Sequence, residues 1–280
     1  MTVKIVTDST ADIPAEVASE LGICVVPLYV HFGSEVYRDG VDITPSEFYH
    51  KLAINKSLPT TSTVAPGEFA QVYDSLAEQT DEILVIVISA ELSATYQAAL
   101  QGKELREAKS CRVEVIDSRL VVMALGLTVI AAAREAQGGA TLDQLSDMAK
   151  RAASKAHLRM AFDTLEYARK GGRIGRAQAL LGTLLNFKPI LTLKDGAVAP
   201  VARERTRAKA IEHLRRFAAG FTNIREMAVE YATTPEEAIA LAEHLNPVFP
   251  KERIYISTIG LVMGTHVGPG ALGVAVLEGE

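Results

Sequence analysis

The sequence predicts an α/β chain, with a doubly wound, mostly parallel sheet over residues 1–155 and a mixed α+β domain over residues 156–280. Three observations lead there. In the first half, apolar runs rich in Val and Ile alternate with capped helical segments, the pattern of strands covered on both faces. In the second half, Asp195-Gly196 between the apolar segments 190–193 and 198–202 is a two-residue hairpin signal. Length and composition, 280 residues of which 48% are hydrophobic and 22% charged, allow two sizeable cores.

Taken in order, strands are expected at 3–7, 24–32, 83–88 and 113–116. Thr44-Pro45-Ser46-Glu47 is a capping box with proline at the first helical position, Thr141 with Gln144 forms another, and Thr234-Pro235-Glu236-Glu237 repeats the first. The apolar run 120–133 spans 14 residues, the length of a buried helix and too short to cross a bilayer. Further strands are expected at 158–162, 190–193, 198–202, 227–231, 254–258 and 274–277, with a short helix ending at Lys170-Gly171-Gly172.

The segment Gly264-Thr265-His266-Val267-Gly268-Pro269-Gly270-Ala271-Leu272-Gly273 contains a G-x-G-x-x-G match from Gly268. Only seven residues follow it, too few for the helix and strand of a dinucleotide fold. It reads instead as a tight glycine loop presenting His266 between two strands.

Charge and cysteine usage narrow the function classes. The net charge of −5 divides into −8 over residues 1–155 and +3 over 156–280, which points to an anionic ligand or partner facing the second half. Arg169, Lys170, Arg173 and Arg176 surround Gly171-Gly172, and a second basic cluster runs from Arg203 to Arg216. Neither is interleaved with aromatics and the chain is acidic as a whole, so no nucleic-acid partner is expected. Cys24 and Cys111 lack metal-ligand spacing and read as free thiols, with no metal site. The opening residues read as a strand and not as a basic-then-apolar leader, so a cytoplasmic location is expected.

In a doubly wound sheet, ligands lie beyond the carboxyl ends of the strands. Three hydroxyl-rich clusters are expected there: Thr7-Asp8-Ser9-Thr10-Ala11-Asp12, the loop Pro59-Thr60-Thr61-Ser62, and Ser89 to Gln97 with Ser93 and Thr95. Hydroxyls and freed amides at helix starts suit an anionic oxygen such as a carboxylate.

These segments, together with Ile116-Asp117-Ser118, Lys170-Gly171-Gly172-Arg173-Ile174 and the 264–273 motif, resemble the DegV family across nearly the whole chain. The resemblance implies a two-domain protein that binds a long-chain fatty acid between its domains and serves as the fatty-acid-binding subunit, of the FakB type, of bacterial fatty acid kinase. Thr61 and Ser93 then hydrogen-bond the carboxylate, with Ser62 nearby and His266 in the same polar network, either neutral or cationic. Arg173, alone or with Arg176, guides the phosphorylated head group or the kinase partner. The implied partners are the fatty acid, a separate ATP-dependent kinase subunit and a transiently touched membrane surface. The binder itself is expected to be monomeric, non-catalytic and free of cofactor.

Two other classes are open on the residues alone. A serine hydrolase acting on acyl esters would use Ser93 and His266, although Glu91 and Thr95 stand where the nucleophile-elbow motif requires glycines. A regulatory protein holding lipid as filler would dock an acidic partner on its basic helix. No glycine loop ending in Gly-Lys-Ser/Thr marks a nucleotide site in the chain itself.

Overall fold

The computed structural model describes residues 2–55, 57–183 and 187–279. The chain opens with β1 (Lys4–Asp8), α1 (Ala15–Leu21), β2 (Cys24–Val26), β3 (Tyr29–Phe32) and β4 (Glu35–Arg38). There follow α2 (Pro45–Ile54), β5 (Thr60–Ser62), α3 (Pro66–Ala77), β6 (Glu82–Val87), α4 (Thr95–Leu105), β7 (Arg112–Asp117), α5 (Val122–Gln137) and α6 (Leu142–Ser154). Strands in the order β2-β1-β6-β7 form an all-parallel sheet. The residues Ile83 to Val87 are completely buried, as near-continuous apolar strands in a two-faced parallel sheet must be.

The segment 24–32 is two strands and not one. Pro27 has no N–H to continue a ladder, so the chain leaves the parallel sheet there, and β3 enters a separate antiparallel sheet in the order β4-β3-β5. The expected loop at Thr60-Thr61-Ser62 is an edge strand of that sheet.

The second half contains β8 (Ala156–Ala161), α7 (Glu166–Lys170), β9 (Lys188–Lys194), β10 (Ala197–Glu204), α8 (Arg207–Ala218), β11 (Ile224–Tyr231), α9 (Pro235–Leu245), β12 (Ile254–Thr258), α10 (Leu261–Val267) and β13 (Leu272–Glu278). Its six strands form a mixed sheet in the order β10-β9-β8-β13-β11-β12. The Asp195-Gly196 turn is the expected hairpin, with both residues at positive φ, +55° and +81°. Helix α5 lies between the sheets, touching β1 and β6 on one side and β8, β11 and β13 on the other. That placement explains why the apolar run 120–133 has no polar face.

Thr44 with Glu47 and Thr141 with Gln144 make their capping boxes. Thr234 precedes its helix as expected, but its side chain caps no helix amide; Arg207 meets both the Thr234 hydroxyl (3.5 Å) and the Glu237 carboxylate. Cys24 and Cys111 are free. Among the described residues no helix is long and apolar enough to cross a membrane.

The 264–273 motif departs most from expectation. His266 sits in the last turn of α10, not on a glycine loop. The helix starts without a local side-chain cap. Its first amides are instead held by acids far away in the chain: Gly260 N donates to Asp12 (3.0 Å), and Leu261 N and Val262 N donate to Asp39 (2.9 and 3.4 Å).

Candidate functional site

A cavity of about 250 Å³ lies where β5, the C-terminal ends of β6 and β7, the strands β8 and β9, and α10 converge. Its walls are chiefly apolar, with Ile88, Val122, Met160, Phe162 and Leu191 among them. Thr61, Ser62, Thr63, Ser93, Arg173 and His266 supply its polar groups. A shallower cleft shares Ser93 and Arg173 with the cavity and adds Glu91 and Gly172, so these polar groups stand at its mouth.

Thr61 Oγ1 and His266 Nε2 are 2.9 Å apart, joining β5 to α10. Burial, and after it the cation of Arg173, lower the imidazole to about 4, so the ring is neutral at pH 7. Its Nδ1 is buried without a partner among the described residues and faces Gly171. A Cβ at Gly171 would stand 2.3 Å from that nitrogen, which is the physical reason for glycine in the Lys170-Gly171-Gly172 motif. Gly268, at φ +73°, ends α10, and a side chain there would strike the Tyr167 ring.

Ser93 Oγ lies 2.8 Å from Thr95 Oγ1, and Thr95 Oγ1 lies 2.8 Å from Thr63 Oγ1. This line of hydroxyls ties the start of α4 to the segment after β5. The sequence assigns no role to Thr63 and marks Gly171 only as part of a motif, because each matters through a neighbour distant in the chain. Ser62 is exposed and meets His31 Nε2 at 2.8 Å. Arg173 is exposed and donates to the carbonyls of Leu92 (3.3 Å) and Gly171 (2.9 Å). Arg176 does not line the cavity; it pairs with Asp195 at the hairpin tip (3.4 Å). Ser93 bonds Thr95, and His266 Nε2 bonds Thr61, so the Ser93–His266 pair of a hydrolase is not formed.

The cluster at Thr7 to Asp12 also lies elsewhere. Asp8 and Thr10 are fully buried, and Asp8 accepts from Thr10 N (3.0 Å) and Ile88 N (2.8 Å), tying β1 to the end of β6. Asp12, Asp39 and Glu230 are buried acids behind α10 and α5. Burial raises Asp39 to about 6 and Glu230 to about 8, and it raises Asp12 well above the usual carboxylate range with help from the other two charges. These acids hold helix starts, and none lines the cavity.

Comparison with known proteins gives one answer. The family model described as "Uncharacterised protein, DegV family" matches residues 2–279. A DegV domain-containing protein of Streptomyces coelicolor is 40% identical over 280 residues, covering 98% of each chain. The structure of a DegV family protein from Thermus thermophilus, described by its fatty acid binding, is 36% identical with a TM-score of 0.90 over 99% of this chain and all of the other. That of a DegV fatty acid binding protein from Bacillus subtilis is 31% identical with a TM-score of 0.88, each chain fully covered. With the model matched almost end to end, this chain belongs to the DegV family.

Proposed function

We propose that this chain binds a long-chain fatty acid in the apolar cavity, with the carboxylate at the mouth, and presents it to a separate ATP-dependent kinase subunit. The observation that carries the reading is the pairing of neutral donors with a dry interior: Thr61 braced by His266, and Ser93 at the start of α4, where the apolar walls end. With its proton on Nε2, the neutral imidazole donates to Thr61 Oγ1, and the Thr61 hydroxyl is released to donate to an anion. Ser93 supplies the second hydroxyl. A carboxylate leaving water requires such charge-assisted donors, whereas its tail requires only the absence of water. A tail of ~14 methylenes at ~0.8 kcal/mol each yields about 11 kcal/mol before ordering costs, so a few polar contacts suffice to fix orientation.

In the reaction assigned to the partner, a carboxylate oxygen attacks the γ-phosphorus of ATP, the β–γ bridging bond breaks and ADP leaves. This chain contributes position and charge. Arg173 stands at the mouth with donors to spare after its two carbonyl contacts, suited to an acyl phosphate or to an acidic patch on the kinase. In this reading the protein is a non-catalytic cytoplasmic binder that works as a monomer, without a cofactor, and touches membranes transiently.

The test is solvent extraction of purified protein followed by mass spectrometry, repeated on Thr61→Val and Ser93→Ala. Stoichiometric fatty acid in the parent and its depletion in both variants is the expected result. A parent free of lipid after incubation with fatty acid overturns the proposal.

A further inference from the structure

The six-stranded sheet is forked. β8 pairs with β13 along its whole length, and β9 with β10, yet β8 and β9 pair only at Met160–Leu191 and Ala161–Ile190. Beyond those two positions the strands part, with 156–159 on one prong and 192–194 on the other. An interior fork leaves ladder groups without their usual partners, and side chains fill the gap. Thr192 Oγ1 donates to Leu158 O (2.8 Å), while Arg159 Nη1 donates to Thr192 Oγ1 (2.6 Å) and to Leu158 O (2.9 Å).

This fork separates two spaces. Leu158, Thr192 and Leu193 line the apolar cavity, and the same three residues line a larger cleft of about 720 Å³ behind it. The cleft is more polar than the cavity, with Lys150, Arg159, Lys194, Asp117 and Asp195 on its walls among apolar side chains. Among the described residues none lines both this cleft and the mouth at Ser93 and Arg173, although Leu193 pairs across the hairpin with Val198 of the mouth, so the two spaces open on different sides of the fork. The partition is one layer of side chains thick.

We propose that Leu158, Thr192 and Leu193, at the fork between β8 and β9, form the end wall that limits the length of acyl tail the cavity accepts. The proposal rests on the acyl-binding reading above. A tail reaching the wall must either stop or displace packed side chains, which close-packed interiors resist. Past the wall it meets a wider cleft lined by charges of both signs, where a further methylene gains less apolar burial than inside the cavity. Thinning the wall therefore widens tolerance for long tails without tightening the binding of short ones.

The experiment offers the full chain and its variants a mixture of saturated fatty acids of graded even length, and native mass spectrometry reads the mass bound. Leu193 is only half-buried, which makes Leu193→Ala and Leu193→Phe tolerable to the fold, and Leu158→Ala probes the other prong. Alanine at either position is expected to extend the longest bound tail by about three carbons, the number leucine loses on truncation, and Leu193→Phe to shorten it. An unchanged length profile in folded, lipid-loaded variants overturns the end wall and leaves the acyl-binding reading standing. A parent that binds no fatty acid of any length overturns both.

Discussion

Thr61 and His266 lie 205 positions apart in the chain and 2.9 Å apart in space, and their contact joins β5 of the first half to α10 of the second on the wall of the cavity. Thr61→Val keeps the shape of the side chain and removes its hydroxyl. A hydrogen bond to a charged group is worth about 1.5–3 kcal/mol, so fatty acid affinity is expected to fall roughly 10- to 150-fold. Titration with a fluorescent fatty acid measures this directly, and unchanged affinity removes Thr61 from the head-group site.

Gly171→Ala acts on the same contact from behind. The added methyl must displace the imidazole or the backbone, because its carbon would stand 2.3 Å from Nδ1. The variant is expected to lose on the order of 2 kcal/mol of stability and to weaken acyl binding as Thr61→Val does. Denaturant unfolding and the same titration report the two effects, and wild-type values in both would show that the ring does not bear on this glycine.

The neutral state of His266 carries a pH signature. Its folded-state value of about 4 lies below the ordinary 6.5, so between these values the unfolded chain binds more protons than the folded one. The stability from this group is fully present above 6.5 and is lost as pH falls toward 4, by about 3 kcal/mol at most. The slope of unfolding free energy against pH in that window is expected to flatten in His266→Gln, and an unaltered slope contradicts the assignment.

Glu230 works in the opposite sense. Its carboxyl, raised to about 8 by burial, is protonated in the folded protein and ionised in the unfolded chain from 4.5 upward. Its contribution is full below 4.5 and is lost as pH rises to 8. Glu230→Gln keeps an acceptor for Met123 N and abolishes the titration. The variant should match the parent in acid and exceed it near pH 8 by on the order of 3 kcal/mol, read by urea unfolding at both extremes. Equal stability at alkaline pH would mean that Glu230 is already charged in the fold.

Arg173→Glu separates binding from delivery. Acyl affinity is expected to fall by no more than a few fold, because the exposed position lets solvent screen the new carboxylate from the head group, while acyl phosphate formation by a cognate kinase is expected to drop at least tenfold. Arg176→Ala is the control, since that side chain is paired with Asp195 away from the cavity. Product formation at the parental rate in Arg173→Glu refutes a guiding role.

The parallel strands, the Asp195-Gly196 hairpin and the apolar α5 were legible because each is encoded by residues adjacent in the chain. The small sheet was not. β5 is Thr-Thr-Ser and β4 is largely exposed, so neither offers an apolar alternation to read. The helix bearing His266 was equally hidden, since its start depends on Asp12 and Asp39, more than two hundred residues upstream. The same distance dependence misled the reading of Thr7 to Asp12, whose acids serve helix starts and strand ends. Thr61, Ser93, Ser62, Arg173 and His266 do gather at one cavity, whereas Arg176 stands outside it.

The position of β13 has a bearing on how the molecule is made. It lies between β8 and β11, and it emerges from the ribosome after every other strand of that sheet. Until it arrives, the nascent chain holds two sheet fragments with facing bare edges, the kind of surface that recruits chaperones or a neighbouring copy. The helix bearing the histidine is synthesised just before this strand, so the pocket is completed only once the rest of that sheet has been made.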